Sequence, residues 1–340
     1  MAQTQGKRGD SLTKKLRNYS VKYVKISESE ISVSRRLVKE HIEDQVMNYC
    51  RRNSTLPILR LEYTGSVYER LKTEAADEVD VMVVLQTTKS DVVLQAAEVP
   101  GYARLKARSD SKFRTRDYAS AEGYLNPERL RNRWFYGLVV QAVNNFRDSD
   151  VKMVVRGHGP AVQLDIVRKA TNQKLLSADL VPCVQIGHDS YYVAKPYTGH
   201  RQVSNRDLLW RQSFSLKEKG ILEHMDRDSG CRHELLRIVK TIVNREPTSL
   251  GRLESYHLKT AFMHYMKKEV QGWNGGSALE KHFLGFLRAL QSYLENGYLP
   301  HYWLPRVNLL EDINPVVTRN MADRVKRILN SDVEMNKILA

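Results

Sequence analysis

The stretch Glu78-Val79-Asp80-Val81-Met82-Val83-Val84-Leu85 constrains this chain more than any other. Its β-branched run reads as a strand. Side chains two apart on a strand face the same way, so Glu78 and Asp80 stand together at its start. Two neighbouring carboxylates repel, and removing them from water is costly without a cation. Divalent magnesium relieves both penalties. A second apolar strand, Val162-Gln163-Leu164-Asp165-Ile166-Val167, places Asp165 on the face opposite Val162, Leu164 and Ile166. Brought onto a neighbouring strand, Asp165 is expected to complete a site for two ions. One would activate an attacking hydroxyl and the other would stabilise departing pyrophosphate.

Just ahead, residues 58–63 read as a strand, Thr64-Gly65-Ser66 as a turn and residues 67–72 as a helical turn. A glycine there lets a triphosphate approach the backbone, while the Ser66 hydroxyl and nearby amides can donate to its oxygens. A lone Gly-Ser pair says little. The ordered set of strand, Gly-Ser, short helix, acid-x-acid strand and distant strand aspartate points to a nucleotidyltransferase active site.

The chain has 340 residues, enough for two packed lobes. Its 54 Lys and Arg against 39 Asp and Glu give a formal charge of +15, a field that favours polyanions. Cys50, Cys183 and Cys231 are few, odd in number and widely spaced, which suits free thiols in a reducing, cytoplasmic setting. No apolar run is long enough for a membrane span. Residues 1–24 read as a basic, disordered arm. Ile31, Val33, Leu37, Val38, Ile42, Val46 and Met47 then mark an amphipathic helix over residues 29–52, capped by Ser27 or Ser29. Asn126-Pro127 starts another helix, running to about residue 145. Gly157-His158-Gly159-Pro160 joins two strands as a turn. Beyond Val203 the spacing turns helical, over residues 208–225, 232–245, 255–269, 278–296 and 315–339. The division expected is a 25–200 nucleotidyltransferase core with its long first helix and a 201–340 helical lobe. The fold class is α+β, a bilobal nucleotidyltransferase fold with a mixed β-sheet core, a long N-terminal spine helix and an all-helical C-terminal lobe.

Several motifs together resemble the metazoan cyclic GMP–AMP synthase family. They are Thr64-Gly65-Ser66-Val67-Tyr68-Glu69-Arg70-Leu71-Lys72 followed by the acid-x-acid strand, then Trp210-Arg211-Gln212-Ser213-Phe214-Ser215, Ser255-Tyr256-His257-Leu258-Lys259-Thr260-Ala261-Phe262 and Pro305-Arg306-Val307-Asn308-Leu309. The similarity runs in order from about Lys25 to near residue 312. It implies that Glu78, Asp80 and Asp165 are metal ligands for two Mg2+ ions, with Mn2+ a substitute, and that Gly65 and Ser66 grip phosphate. It implies that Tyr256 stacks on a nucleobase, Ser255 touches phosphate, Arg211 contacts a base with Ser213 and Ser215 nearby, Lys240 holds triphosphate, and Asn308 lines the pocket. Guanidinium and tyrosine faces suit stacking and lysine suits phosphate.

Vertebrate DNA-sensing members carry a His-Cys-Cys-Cys zinc insertion. The corresponding stretch here offers His224, Cys231 and His233, too few for a structural zinc site, so no zinc is expected. The chain is thereby closer to the invertebrate cGAS-like receptors that lack this zinc thumb. The resemblance implies a cyclic dinucleotide synthase of innate immunity. It would join two nucleoside triphosphates (ATP, GTP or others) and release pyrophosphate when activated by double-stranded RNA, double-stranded DNA being the less favoured activator. A duplex-induced dimer belongs to the same expectation. Lys25, Arg35, Arg36, Lys39, Lys219 and Arg237 form the implied duplex-binding face, read by phosphates and shape. The alternatives are a terminal RNA nucleotidyltransferase and a catalytically silent scaffold of the same fold.

Overall fold

The structure is a computed structural model and describes residues 11–159, 161–199 and 201–340. The chain divides into two compact units. One comprises Ser27–Arg70 and Ala75–Glu223; the other comprises residues 11–26, Leu71–Glu74 and His224–Ala340. The boundary therefore falls at Glu223, not at residue 200.

The first unit is built on a mixed sheet. Its strands are β1 (Ile58–Thr64), β2 (Glu78–Leu85), β3 (Val92–Ala96), β4 (Tyr102–Ala107), β5 (Val151–His158), β6 (Ala161–Arg168), β7 (Lys174–Ile186), β8 (Ser190–Val193) and β9 (Leu209–Ser213). The order is β1-β2-β7-β8-β9-β4-β3. Along one edge β7 is parallel to β2; along the other it pairs first with β6 and then with β8, while β5 pairs beyond β6. Alternation along β2 decides which side faces the core. Val79, Val81 and Val83 pack into the main apolar cluster with Leu164, Leu176 and Leu180. Glu78, Asp80, Met82 and Val84 therefore occupy the other face, where Met82 and Val84 join a smaller cluster with Val181, Cys183 and Val193.

Two helical rods cover the main core. The first runs through Glu28–Leu37, a π-wound stretch Val38–Met47 and Asn48–Asn53. It starts at Ser27, whose Oγ accepts from the Glu30 amide at 3.1 Å. Its Ile42 and Val46 are buried against the sheet, and burial of such side chains stabilises by roughly 1.5–3 kcal/mol each. The second rod runs through Pro127–Arg129, Leu130–Tyr136 and Gly137–Asn144. It is capped by Asn126, whose Oδ1 accepts from the Arg129 amide at 2.9 Å.

Two expectations fail locally. The segment 208–225 is not one helix: Leu209–Ser213 forms β9, and only Ser215–Leu222 is helical. Pairing with β8 and β4, and full burial of Trp210 with Nε1 donating to Leu125 O at 2.9 Å, override the helical spacing. Residues 66–70 form hydrogen-bonded turns, with Gly65 O accepting from the Tyr68 and Glu69 amides, and there is no helix over 67–72.

The second unit is helical, with Arg232–Arg245, Ser255–Lys268, Ala278–Glu295, Pro315–Asn330 and Asp332–Ile338 as its main helices. Residues 1–10 of the expected arm, and Pro160 of the expected turn, lie outside the described residues. The rest of the arm is not disordered: Leu12–Tyr19 continues into a π-wound Ser20–Val24, and Leu16, Tyr19 and Val24 are buried within this unit. Thr13 donates to Glu280, and Arg245 lies 3.8 Å from the ring centroid of Tyr23.

Candidate active site

Strand register brings Glu78 and Asp80 onto one exposed face at the start of β2. In the parallel β2–β7 pair, Asp80 lies opposite Asp179 and Glu78 opposite Ser177. Paired positions on adjacent strands share a face and sit about 4.8 Å apart. The carboxylate on the neighbouring strand is thus Asp179, not Asp165. Asp165 lies on β6, one strand further out, opposite Ser177. It is 4% exposed; Ser177 Oγ donates to its Oδ1 at 2.5 Å, and Arg156 Nε lies 3.2 Å from its Oδ2. Asp165 shares the acid face, and both of its oxygens are already engaged.

Lys195 joins this group, and no local spacing marks it. Burial and the Arg211 guanidinium pull its pKa below the ordinary lysine range, while Asp80 and Asp179 pull it back up. The two aspartates and two cations therefore act on one another within a single neighbourhood. Arg211, exposed on β9, is paired with Val193 of β8, which places it on the same face as the apolar cluster beyond the acids. Ser213 Oγ lies 3.5 Å from Met82 Sδ and 3.1 Å from Ser215 Oγ, so both serines stand beside the strand that carries Asp80.

The Gly65-Ser66 turn closes this group. Thr64 pairs with Asp80 across β1 and β2, and Gly65 follows with φ +81°. A Cβ on Gly65 would fall 2.2 Å from Asp80 Oδ2. Glycine is required twice over, by the left-handed backbone and by contact with the carboxylate. Ser66 is half-buried next to it.

Three carboxylates on one face are the hard oxygen donors that magnesium takes. Among the described residues no three His, Cys, Asp or Glu side chains are gathered closely enough to hold an ion as they stand. Glu78, Asp80 and Asp179 supply suitable chemistry and a common direction, and a cation would draw them together.

In the helical unit the expected nucleotide contacts divide. Ser255 is exposed and Tyr256 half-buried at the start of the Ser255–Lys268 helix. Tyr256 Oη shares a hydrogen bond with His301 Nε2 at 2.9 Å, and Lys259 Nζ lies 5.3 Å from its ring centroid. Lys240, by contrast, is 7% exposed, and its Nζ donates to Leu71 O at 2.9 Å. Asn308 Nδ2 donates to Gly297 O, and its Oδ1 accepts from the Leu299 and Leu310 amides. That side chain pins a loop.

The candidate duplex residues also differ. Arg35, Arg36 and Lys25 are exposed. Lys39 is exposed but paired with Glu43 at 3.2 Å and Asp44 at 2.9 Å. Arg237 is half-buried; burial lowers its guanidinium pKa, and Nε donates to His233 O. In the zinc-insertion stretch, His233 Nδ1 shares a hydrogen bond with Asp226 Oδ2 at 2.8 Å, and burial pushes the Cys231 thiol up to about 11.

Comparison with known proteins fits this geometry. Residues 67–224 match the Mab-21 protein nucleotidyltransferase domain, and residues 231–327 match the Mab-21 protein HhH/H2TH-like domain. Cyclic GMP-AMP synthase-like receptor 3 of Stylophora pistillata is 52% identical over 337 residues, covering 97% of this chain and 98% of the relative. A cyclic GMP-AMP synthase-like receptor of Aethina tumida is 24% identical over 314 residues, 81% of this chain and 75% of the relative. Mitochondrial dynamics protein MID51 of Danio rerio is 28% identical over 308 residues, 86% of this chain and 64% of the relative. With an acid-faced nucleotidyltransferase sheet, a helical second unit and near-complete alignment to one such receptor, this chain belongs to the cyclic GMP–AMP synthase-like receptor family and is a nucleotidyltransferase of innate immunity.

Proposed function

We propose that this protein is a nucleic-acid-activated cyclic dinucleotide synthase that senses double-stranded RNA in the cytoplasm. The observation that carries the reading is Asp80 facing Asp179 across β2 and β7, with Glu78 on the same side and Gly65 against the Asp80 carboxylate. Glu78, Asp80 and Asp179 would hold two Mg2+ ions. Such ions activate a hydroxyl nucleophile and neutralise the leaving pyrophosphate. The protein's own groups orient the substrate: the Gly65 turn admits the triphosphate to the backbone, and Arg211 and Ser213 meet the nucleotide. Lys195 counters the charge of the aspartates while no substrate is present. Asp165 holds β6 and β7 in place through Ser177. A +15 chain with exposed Arg35, Arg36 and Lys25 suits a duplex read through its phosphates, and the duplex recruits a second copy of the chain.

The test is product analysis. Purified protein is incubated with magnesium, all four nucleoside triphosphates and synthetic duplex RNA or DNA, and products are identified by mass spectrometry. A cyclic dinucleotide formed with duplex RNA is the expected outcome. Full activity without any duplex would overturn the receptor assignment, and a ladder of lengthened RNA would indicate a terminal transferase. A second reading is a silent scaffold of the same fold, since one relative is named for mitochondrial dynamics and not for synthesis. Absence of pyrophosphate release under every activator would support it.

A further inference from the structure

Two of the cations assigned to the duplex face converge on one aromatic ring of the site turn. The Arg35 guanidinium lies 5.6 Å from the Tyr68 ring centroid, and the Lys219 ammonium lies 5.5 Å from the same centroid. Arg35 comes from the first helical rod and Lys219 from the Ser215–Leu222 helix. Both distances fall within cation–π range. Tyr68 itself belongs to the turn: its amide donates to Gly65 O at 3.1 Å. Its ring also lies 5.1 Å from the ring of Tyr63, whose hydroxyl donates to Glu43 Oε2 at 2.8 Å. Glu43 in turn pairs with Lys39. Two candidate phosphate-binding cations thus touch Tyr68 directly, and a third, Lys39, reaches it through Glu43 and Tyr63, in the turn whose Gly65 abuts Asp80.

We propose that Tyr68 is the positioning residue through which backbone phosphate on Arg35 and Lys219 sets the Gly65-Ser66 turn. This rests on the duplex-activation reading above and names its physical link. Two like charges drawn to one ring repel each other. Phosphate charge beside these cations offsets that repulsion, so both can stay on the ring and fix the turn beside Asp80. By reciprocity, a turn held in this arrangement presents the two cations at a fixed spacing to the next phosphate. Every contact in the series lies within one compact unit.

The experiment measures duplex RNA affinity and, separately, the stimulation of dinucleotide synthesis at saturating duplex, using the full chain. Tyr68→Leu is expected to bind duplex within about twofold of the natural protein, yet to lose about tenfold in stimulation. Tyr68→Phe keeps the ring and is expected to restore stimulation. Should Tyr68→Leu fail to fold, judged by its thermal midpoint, Lys219→Met serves instead, with the same loss expected at saturating duplex despite weaker binding. Full stimulation of Tyr68→Leu or Lys219→Met at saturation would overturn the proposal, as would a Tyr68→Phe defect as large as that of Tyr68→Leu. A natural protein whose synthesis ignores duplex altogether would overturn the activation reading and the link with it. That pattern differs from a link failure, in which the natural protein is stimulated and so are the variants.

Discussion

Asp165 and Asp179 lie on adjacent antiparallel strands and on the same face of one sheet, yet their surroundings give them different work. Around Asp165 both oxygens are taken, by Ser177 and Arg156. Around Asp179 the register presents Asp80 directly opposite, and Lys195 feels both charges. The difference teaches that residue type and face alone do not describe a carboxylate's surroundings; its neighbour across the strand pair does. A one-strand displacement separates an acid set opposite another acid from one held by a serine and an arginine.

The sharpest way to break this contrast is to neutralise each aspartate separately. Asp80→Asn and Asp179→Asn should each lower product formation by about 100-fold or more, since even the outer partners of metal ligands cost 10–100-fold. Duplex affinity should stay unchanged in a gel-shift titration. Gly65→Ala comes next. A β-carbon there strains a left-handed backbone by about 1–2 kcal/mol and collides with the Asp80 carboxylate, so the rate should fall at least about tenfold while the denaturation midpoint drops modestly. Asp165→Asn should leave the rate within about fivefold but lower unfolding stability by about 1–3 kcal/mol, as a buried hydrogen-bonded group loses a partner. If Asp165→Asn silences the enzyme and Asp179→Asn spares it, the two roles are reversed.

The smallest effect concerns pH and the helical unit. Burial holds the pKa of His257 and His282 below the ordinary value of 6.5. In the unfolded chain both protonate near 6.5, so between that value and their lower folded pKa values the unfolded state binds more protons. Stability from these histidines is present above about pH 6.5 and is lost as pH falls through the window beneath it. A thermal midpoint that declines from pH 7 to 5.5, with a shallower slope in His282→Gln, is expected. An unchanged slope would place the titrating groups elsewhere.

Much of this was legible in the residues. The alternation Glu78-Val79-Asp80-Val81 displayed two acids on one face, and Gly65 announced a turn that only glycine tolerates. Helical spacing located the second half of the chain. Asp179 is harder to read: Ser177-Ala178-Asp179-Leu180 repeats the pattern of β2, polar and apolar in alternation, but only the strand register sets it opposite Asp80. Leu12, Leu16 and Tyr19, at helical spacing, were hidden among basic residues. Lys240 and Asn308 show the opposite limit. Their types suit phosphate and base, and packing also gives them main-chain partners that residue type does not announce: Lys240 donates to the Leu71 carbonyl, and Asn308 bonds main-chain groups of Gly297, Leu299 and Leu310.

The parallel union of β2 with β7 has a consequence for biosynthesis. Asp80 and Asp179 are separated by about a hundred residues, and parallel pairing forms only after such a long connection has closed. A ribosome that has released β2 has made half of an active centre. The other half arrives only once β7 has emerged, with β6 and β8 needed to complete the other edge of that strand. Any message interrupted before that point yields a polypeptide carrying the acid-x-acid signature and no capacity to use it, so early truncation should silence the protein however much of its recognisable motif survives.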